Sequence, residues 1–242
     1  MFNKINMTKP LKKLNIIAII AARGGSKRIH KKNITLLGGM PLIAHSILRA
    51  KAAKLVRQVY VSTEDKQIVE VAKRYGASVI HRPKNLASDK ATVESALLHI
   101  LNYLNLAGQS DPDLVVILQA TSPLRKTHDI DRAIETLFKE KADSLFSACR
   151  DKGLMWLLKD KKLKSVNHDY QSRKREQDMG IQYRENGSIY VFKPEILRKY
   201  NNRLGGKITI YEMDIFHSAQ IDEPEDIILV EALRNLEDNF FK

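Results

Sequence analysis

The chain has 242 residues, 43% of them hydrophobic, with 41 Lys and Arg against 28 Asp and Glu and a net charge of +13. That is enough apolar material for one domain, or one domain with an insertion. No apolar run reaches the roughly 18 residues of a membrane span, and the stretch MFNKINMTKPLKK lacks the apolar segment of a signal peptide. A lone Cys149, read as a small apolar core residue, excludes an internal disulfide and points to a reducing cytoplasm. The basic residues are scattered, with no aromatic-interleaved stripe and no helix-turn-helix, RNA-recognition or zinc pattern, so the charge does not imply nucleic acid as partner.

Residues 1–13 read as a basic tail and 14–242 as a single domain. The run at 16–22, IIAIIAA, is short, rich in β-branched residues and stopped by Arg23-Gly24-Gly25-Ser26, which predicts a buried strand. Residues 41–54 show helical spacing with Pro41 in the first turn. A strand at 59–63 follows, then a helix at 65–75 closed by Gly76, a strand at 77–81 and a helix at 91–106. LVVILQ at 114–119 is the most apolar strand and is expected at the centre, before a helix at 130–141 and a strand at 144–149. Residues 150–203 break this rhythm and read as an insertion. A strand at 207–213 and a helix at 224–236 complete the chain. The alternation predicts an α/β fold, a mostly parallel sheet flanked by helices on both faces. Ligands of such sheets sit beyond the carboxyl ends of the strands.

The polar groups of the chain fall at those ends. Paired glycines bring backbone N–H groups close to an anion, and Arg23, Lys27, Lys32 and Asn33 surround them, an arrangement suited to a polyphosphate. It is neither GxxxxGK[ST] nor GxGxxG. His81-Arg82-Pro83 with Ser88-Asp89 is either a ligand loop or a helix cap. Gln119-Ala120-Thr121-Ser122-Pro123-Leu124-Arg125 is a hydroxyl-rich loop with little packing purpose. Asn186-Gly187 is a hairpin turn or a site loop, and Asp222 is a helix cap or a metal ligand.

Taken in order, AARGGSKRIHKKN, RPKNLASD, LQATSPLR, YRENGSIYVF and QIDEPEDI resemble the acylneuraminate cytidylyltransferases, the CMP-sialic acid synthetase-like enzymes, across nearly the whole chain. The resemblance implies a nucleotidyltransferase sheet of Rossmann-like architecture, a dimerisation segment within 150–203, and transfer of CMP from CTP to a 2-keto-3-deoxy sugar acid with Mg²⁺. By the same resemblance Arg23, Gly24, Gly25, Ser26, Lys27, Lys32, Asn33, Arg82, Ser88 and Asp89 hold the nucleotide. Gln119, Thr121, Ser122, Arg125, Asn186 and Tyr190 fall on the sugar side, Arg175 reaches the partner subunit's sugar, and Asp222 is the metal acid. Arg23, Lys32 and Asp222 would carry the catalysis. Exposed-looking apolar residues at 154–158 independently favour a homodimer.

The chain departs from the family pattern at three places. Gln220 replaces the first acid of the metal motif, and a neutral amide offers Mg²⁺ only its carbonyl. Ala120 replaces a proline, and no basic residue near 152–156 matches the one expected for the substrate carboxylate. Three other readings stay open: a nucleotidyltransferase for another sugar or sugar 1-phosphate, a nucleotide-binding protein without turnover, suggested by Gln220, and a nucleic-acid binder, which the basic balance allows.

Overall fold

The computed structural model describes residues 10–240. Residues 1–9, most of the expected basic tail, lie outside the described residues; Leu11–Lys13 form a 3₁₀ turn whose Leu11 packs on the core. The apolar run becomes β1 (Ile16–Ala21), followed by a two-residue ladder of β2 (Leu36–Leu37) and β3 (Met40–Pro41), then α1 (Leu42–Ala52). Next come β4 (Gln58–Thr63), α2 (Lys66–Arg74), β5 (Ser78–His81), α3 (Val93–Leu106), β6 (Leu114–Leu118), α4 (Asp129–Lys139) and β7 (Ser144–Arg150). The hairpin β8 (Trp156–Lys159) and β9 (Lys162–Ser165) precedes β10 (Tyr183–Phe192), α5 (Pro194–Tyr200), β11 (Ile208–Glu212) and α6 (Pro224–Phe240).

Seven strands form one sheet in the order β11-β7-β10-β6-β1-β4-β5. All neighbours are parallel except β10, which runs antiparallel between β6 and β7. The alternation of β1 explains why its run is unbroken. Ile16, Ala18 and Ile20 face the helices α1, α2 and α4, whereas Ile17 and Ile19 face α3 and α5. A strand buried on both faces has no polar side. Each fully buried Ile or Leu contributes roughly 1.5–3 kcal/mol. A third cluster joins α6 to the loops, through Ile29, Leu37, Leu42, Leu124, Ile221 and Val230.

Local capping settles two choices that the sequence leaves open. Thr92 Oγ1 caps α3 by accepting from Ser95 N–H at 3.2 Å, so Ser88 and Asp89 are not the cap. At α6 the Asp226 carboxylate reaches back to the N–H groups of Asp222 (2.7 Å) and Glu223 (2.8 Å). The carboxylate of Asp222 is thereby left for another partner.

The segment 150–203 corrects the expected insertion. Residues 183–200 build β10 and α5, which are integral to the sheet and the core, and Arg150 still belongs to β7. Residues 151–182 contribute no strand to the seven-stranded sheet. Asn186-Gly187 is not a hairpin turn, because β10 runs through it with a bulge: Glu185 pairs with Ala148, but Tyr190 pairs with Phe146. The physical reason is the buried apolar run Ile189–Phe192, which needs a central strand rather than a surface turn. The bulge depends on Gly187, at φ +62°, where a Cβ would stand 2.5 Å from Gln220 Nε2 and 2.8 Å from Gln119 Oε1. Gly187→Ala should therefore lower stability by about 1–3 kcal/mol, read as a shift of the urea unfolding midpoint. An unchanged midpoint would show that the bulge relaxes freely.

Candidate active site

The loop after β1 is shaped by the polar residues that follow β4. Gly24 N–H donates to Glu64 Oε1 at 2.7 Å, and a Cβ on Gly24 would lie 2.6 Å from Asp65 Oδ2, so the loop packs against Asp65 at contact distance. Asp65 is fixed in turn, because it caps α2 through the N–H groups of Gln67 and Ile68. Asn33 Nδ2 donates to Arg23 O at 2.9 Å and closes the far side. Of the backbone donors expected to face an anion, that of Gly24 is committed to Glu64 and that of Ser26 to Gly24 O.

Four cations of this loop, Arg23, Lys27, Arg28 and Lys32, face carboxylates. Asp89 Oδ1 accepts from Arg23 at 3.0 Å and Asp89 Oδ2 from Lys27 at 2.8 Å. Lys27 first, then Arg23, holds the Asp89 carboxyl below its ordinary pKa, against a small desolvation. Arg23 also donates to Ser88 O at 3.2 Å. Arg28 pairs with Glu223 at 3.1 Å, and Lys32 pairs with Asp222 at 2.9 Å. Arg82 is buried under this loop, donating from Nε to Ser62 Oγ (3.0 Å) and from an η-nitrogen to Ser62 O (2.7 Å). Burial lowers its pKa, and the Glu64 charge opposes that shift.

A second group of residues gathers at the end of β6 and the start of β10. Ile221 joins it to the first: its N–H donates to Thr121 O at 2.9 Å, and its carbonyl accepts from Lys32 at 3.1 Å. Thr121 Oγ1 donates to Gln119 Oε1 at 3.4 Å, and Gln220 Nε2 donates to Asn186 O. Beside them is an open cavity of about 440 Å³, bordered by Arg184, Glu185, Gln220 and Asp222 with Phe216 and Leu229.

The sequence model of the family described as Cytidylyltransferase matches residues 17–239. The chain belongs to that cytidylyltransferase family. It is 35% identical over 235 residues to CMP-N,N'-diacetyllegionaminic acid synthase of Legionella pneumophila, covering 92% of this chain and 97% of that protein. It is 32% identical to Post-translational flagellin modification protein B of Campylobacter coli, covering 90% and 94%. N-acylneuraminate cytidylyltransferase A of Danio rerio is 34% identical over 223 residues, 90% of this chain, and the chain spans about half the length of that fish protein. Among solved structures, CMP:2-keto-3-deoxy-manno-octonic acid synthetase complexed with CTP superposes with a TM-score of 0.71 at 16% identity, covering 92% and 99%. At that identity the likeness bears on the fold, the mostly parallel sheet flanked by helices.

In this family member the expected site residues separate into three sets. Arg23, Gly24, Gly25, Ser26, Lys27, Lys32, Asn33, Ser88, Asp89 and Asp222 share the glycine-loop region, and Gln119, Thr121 and Gln220 adjoin it. Arg125, Ser122, Tyr190 and Asn186 are buried. Arg125 is corrected from a sugar contact to a clamp: its nitrogens donate to Ser188 Oγ (3.1 Å) and O (2.8 Å), Ser46 Oγ (2.8 Å) and Gln119 O (3.0 Å). Asn186 is likewise committed, accepting from Ser147 and Ser188 and donating to Ser218 and Met213 Sδ. Tyr190 donates to Glu185 beneath the Arg203 guanidinium, and burial first, then Glu185, pushes its hydroxyl up to about 12. Ser122 Oγ is buried without a partner among the described residues. Arg175 stands apart, exposed on 151–182 and paired with Asp178 at 2.8 Å.

Sequence reasoning missed Glu64 and Asp226 as shaping residues, although both sit at strand or helix junctions where polar groups serve loops. Removing the Arg125 guanidinium would take a donor from the Ser188 carbonyl and from the hydroxyls of Ser46 and Ser188, at about 1–3 kcal/mol for each buried group left unsatisfied, whereas the Gln119 carbonyl keeps Ser46 Oγ and Ser122 N–H. Arg125→Met should therefore destabilise the protein by about 2–4 kcal/mol in urea titration, partly offset by the lost desolvation of the charge. Arg175→Ala should stay within about 0.5 kcal/mol of the parent. Equal stability of the two variants would refute the clamp.

Proposed function

We propose that the chain transfers CMP from CTP to an acidic 2-keto-3-deoxy sugar of the sialic or nonulosonic type, releasing pyrophosphate. The observation that carries this reading is the row of cations Arg23, Lys27 and Lys32 at the carboxyl end of β1, leading through the Lys32–Asp222 pair into the cavity beside Gln220. The names of the Legionella and Danio relatives support the substrate class.

The chemistry follows from charge and position. The anomeric hydroxyl of the sugar attacks the α-phosphorus and loses its proton to solvent, the α–β phosphoanhydride bond breaks, and pyrophosphate leaves with the bonding electrons. Such a transfer needs alignment and neutralisation more than covalent help. Arg23, Lys27 and Lys32 would neutralise the β- and γ-phosphates. Gln119 and Thr121, tied to Ile221, would orient the acceptor.

Magnesium belongs to the proposal. Among the described residues no group of three or more His, Cys, Asp or Glu could hold a metal. The half-exposed Asp222 carboxylate has one oxygen on Lys32 and lines the cavity together with Asp226. One carboxylate fits Mg²⁺, which leans on substrate phosphates and keeps several waters. Asp222 would hold it, and when bound the metal supplies charge neutralisation on the phosphates.

The assay is pyrophosphate release with CTP, Mg²⁺ and a panel of 2-keto-3-deoxy acids. Turnover only with a sugar 1-phosphate, or CTP binding without release, would replace the reading. Asp222→Asn should lose at least tenfold in turnover while its thermal midpoint stays near that of the parent. Normal activity and Mg²⁺ dependence would leave Asp222 as only the partner of Lys32.

A homodimer and a cytoplasmic location complete the proposal. The hairpin β8–β9 exposes Trp156, Leu157, Leu158 and Leu163, each 47–67% accessible. Trp156 is backed by His168 and Tyr170, with ring centroids 5.2 and 5.3 Å away. A patch of this kind favours a covering partner, and a second copy would bring Arg175 to the neighbouring site. The single buried Cys149 suits a reducing compartment. Light scattering at micromolar concentration should give twice the chain mass, and Leu157→Glu with Leu163→Glu should halve it. A monomeric parent with full activity would refute the dimer.

A further inference from the structure

We propose that Asp89 is an internal competitor for the cations that receive the triphosphate, and that it sets how tightly polyphosphate is held and how readily pyrophosphate leaves. The inference rests on the cytidylyltransferase reading above and adds a specificity-determining role to a residue that, as an anion, is ill suited to contact a triphosphate directly.

The geometry is that of a bridging anion. Both Asp89 oxygens are engaged, one by Arg23 at 3.0 Å and the other by Lys27 at 2.8 Å. These are the cations on either side of Gly24-Gly25-Ser26. The carboxylate thus occupies the charge that a phosphate would seek. Asp89 has no capping duty, since Thr92 caps α3. It is 56% exposed, between the 3₁₀ turn Lys84–Ala87 and α3, so it can turn away into water. Glu64 does not pair with these side chains: its Oε1 accepts from Gly24 N–H, and its Oε2 is buried without a hydrogen-bond partner among the described residues.

Any ligand that uses Arg23 and Lys27 must first break two exposed ion pairs, each worth roughly 0.2–1 kcal/mol. A triphosphate makes several charge-assisted contacts in return. A single phosphate makes few and is discriminated against. After transfer, pyrophosphate has lost its covalent link to the cytidine, and the returning carboxylate favours its departure, a step that often limits turnover.

The test is calorimetric titration of the full chain with CTP, pyrophosphate and cytidine at constant ionic strength. Asp89→Asn should bind pyrophosphate and CTP about three- to tenfold more tightly and cytidine as the parent does. Pyrophosphate inhibition of turnover should strengthen by the same factor. Asp89→Glu, which keeps the anion, should restore most of the parental affinity. Unchanged or weaker pyrophosphate binding in Asp89→Asn would overturn the proposal, as would a parallel change for cytidine, which would place Asp89 in the base pocket. A parent that binds CTP but is indifferent to Asp89→Asn refutes this inference alone. A parent that binds no CTP refutes the activity, and the inference with it.

Discussion

A fully buried guanidinium holds together the part of the molecule on which the candidate site is built. Arg125 connects α1 through Ser46, the end of β6 through the Gln119 carbonyl, and β10 through both oxygens of Ser188. Burial lowers its pKa to about 9, Asp129 opposes that shift, and the group stays charged at neutral pH. A charge taken out of water is tolerable only where its donors are met. The four named acceptors therefore cannot drift, and the loop 119–125 and the β10 bulge are set relative to each other before any ligand arrives.

From this fixed point the arrangement extends through a backbone residue. Ile221 is buried by its side chain in the cluster with Leu42 and Val230, yet its N–H meets Thr121 and its carbonyl meets Lys32. The loop after β1 and the loop after β6 are thus joined through the Ile221 backbone, by a main-chain hydrogen bond to Thr121 and a hydrogen bond from the Lys32 side chain. Beside this backbone link lies a layer of ion pairs. Arg23, Lys27, Arg28 and Lys32 are each matched by Asp89, Glu223 or Asp222. The net charge of +13 consequently does not translate into an open cationic patch at this site. Under the proposed activity, polyphosphate recognition would be an exchange of partners rather than a filling of bare charge.

The sheet was legible because its strands are buried on both faces, so the runs at 16–22 and 114–119 carry no polar interruption to disguise them. The glycine loop was legible for the opposite reason: an abrupt change from β-branched residues to glycine and cations marks a strand end. The extent of the inserted segment was not. The sequence around Asn186-Gly187 has the chemistry of a tight turn, and only the long-range pairing with β6 and β7 makes it a bulge in a central strand. Burial of Arg125, Asn186 and Tyr190 was equally hidden, because a polar side chain reads alike whether its partners are a substrate or Ser188, Ser147 and Glu185. Glu64 escaped notice since its role is to accept one backbone N–H, which leaves no pattern in the chain.

Gln220 shows how a departure from a family pattern can be structural. Its amide donates to the Asn186 carbonyl and lies against the α-carbon of Gly187, closing the β10 bulge. A carboxylate at this position has no proton to donate, and would set an acceptor against that carbonyl. An acid here and the present bulge are therefore in conflict unless a cation stands between them. With the amide in place the bulge is closed by the protein alone, and the negative charge of the region falls to Asp222 and Asp226. Asp226 is spent on the start of α6, where the N–H groups of Glu223 and Asp222 lower its carboxyl pKa, burial opposes them, and the nearby Lys32 adds to the lowering. That leaves Asp222, flanked by Lys32, as the acid whose partner can change when phosphates compete for the lysine. Asp222, like Asp89 a carboxylate whose partner can change, thus stands next to Lys32, which also reaches the Ile221 carbonyl.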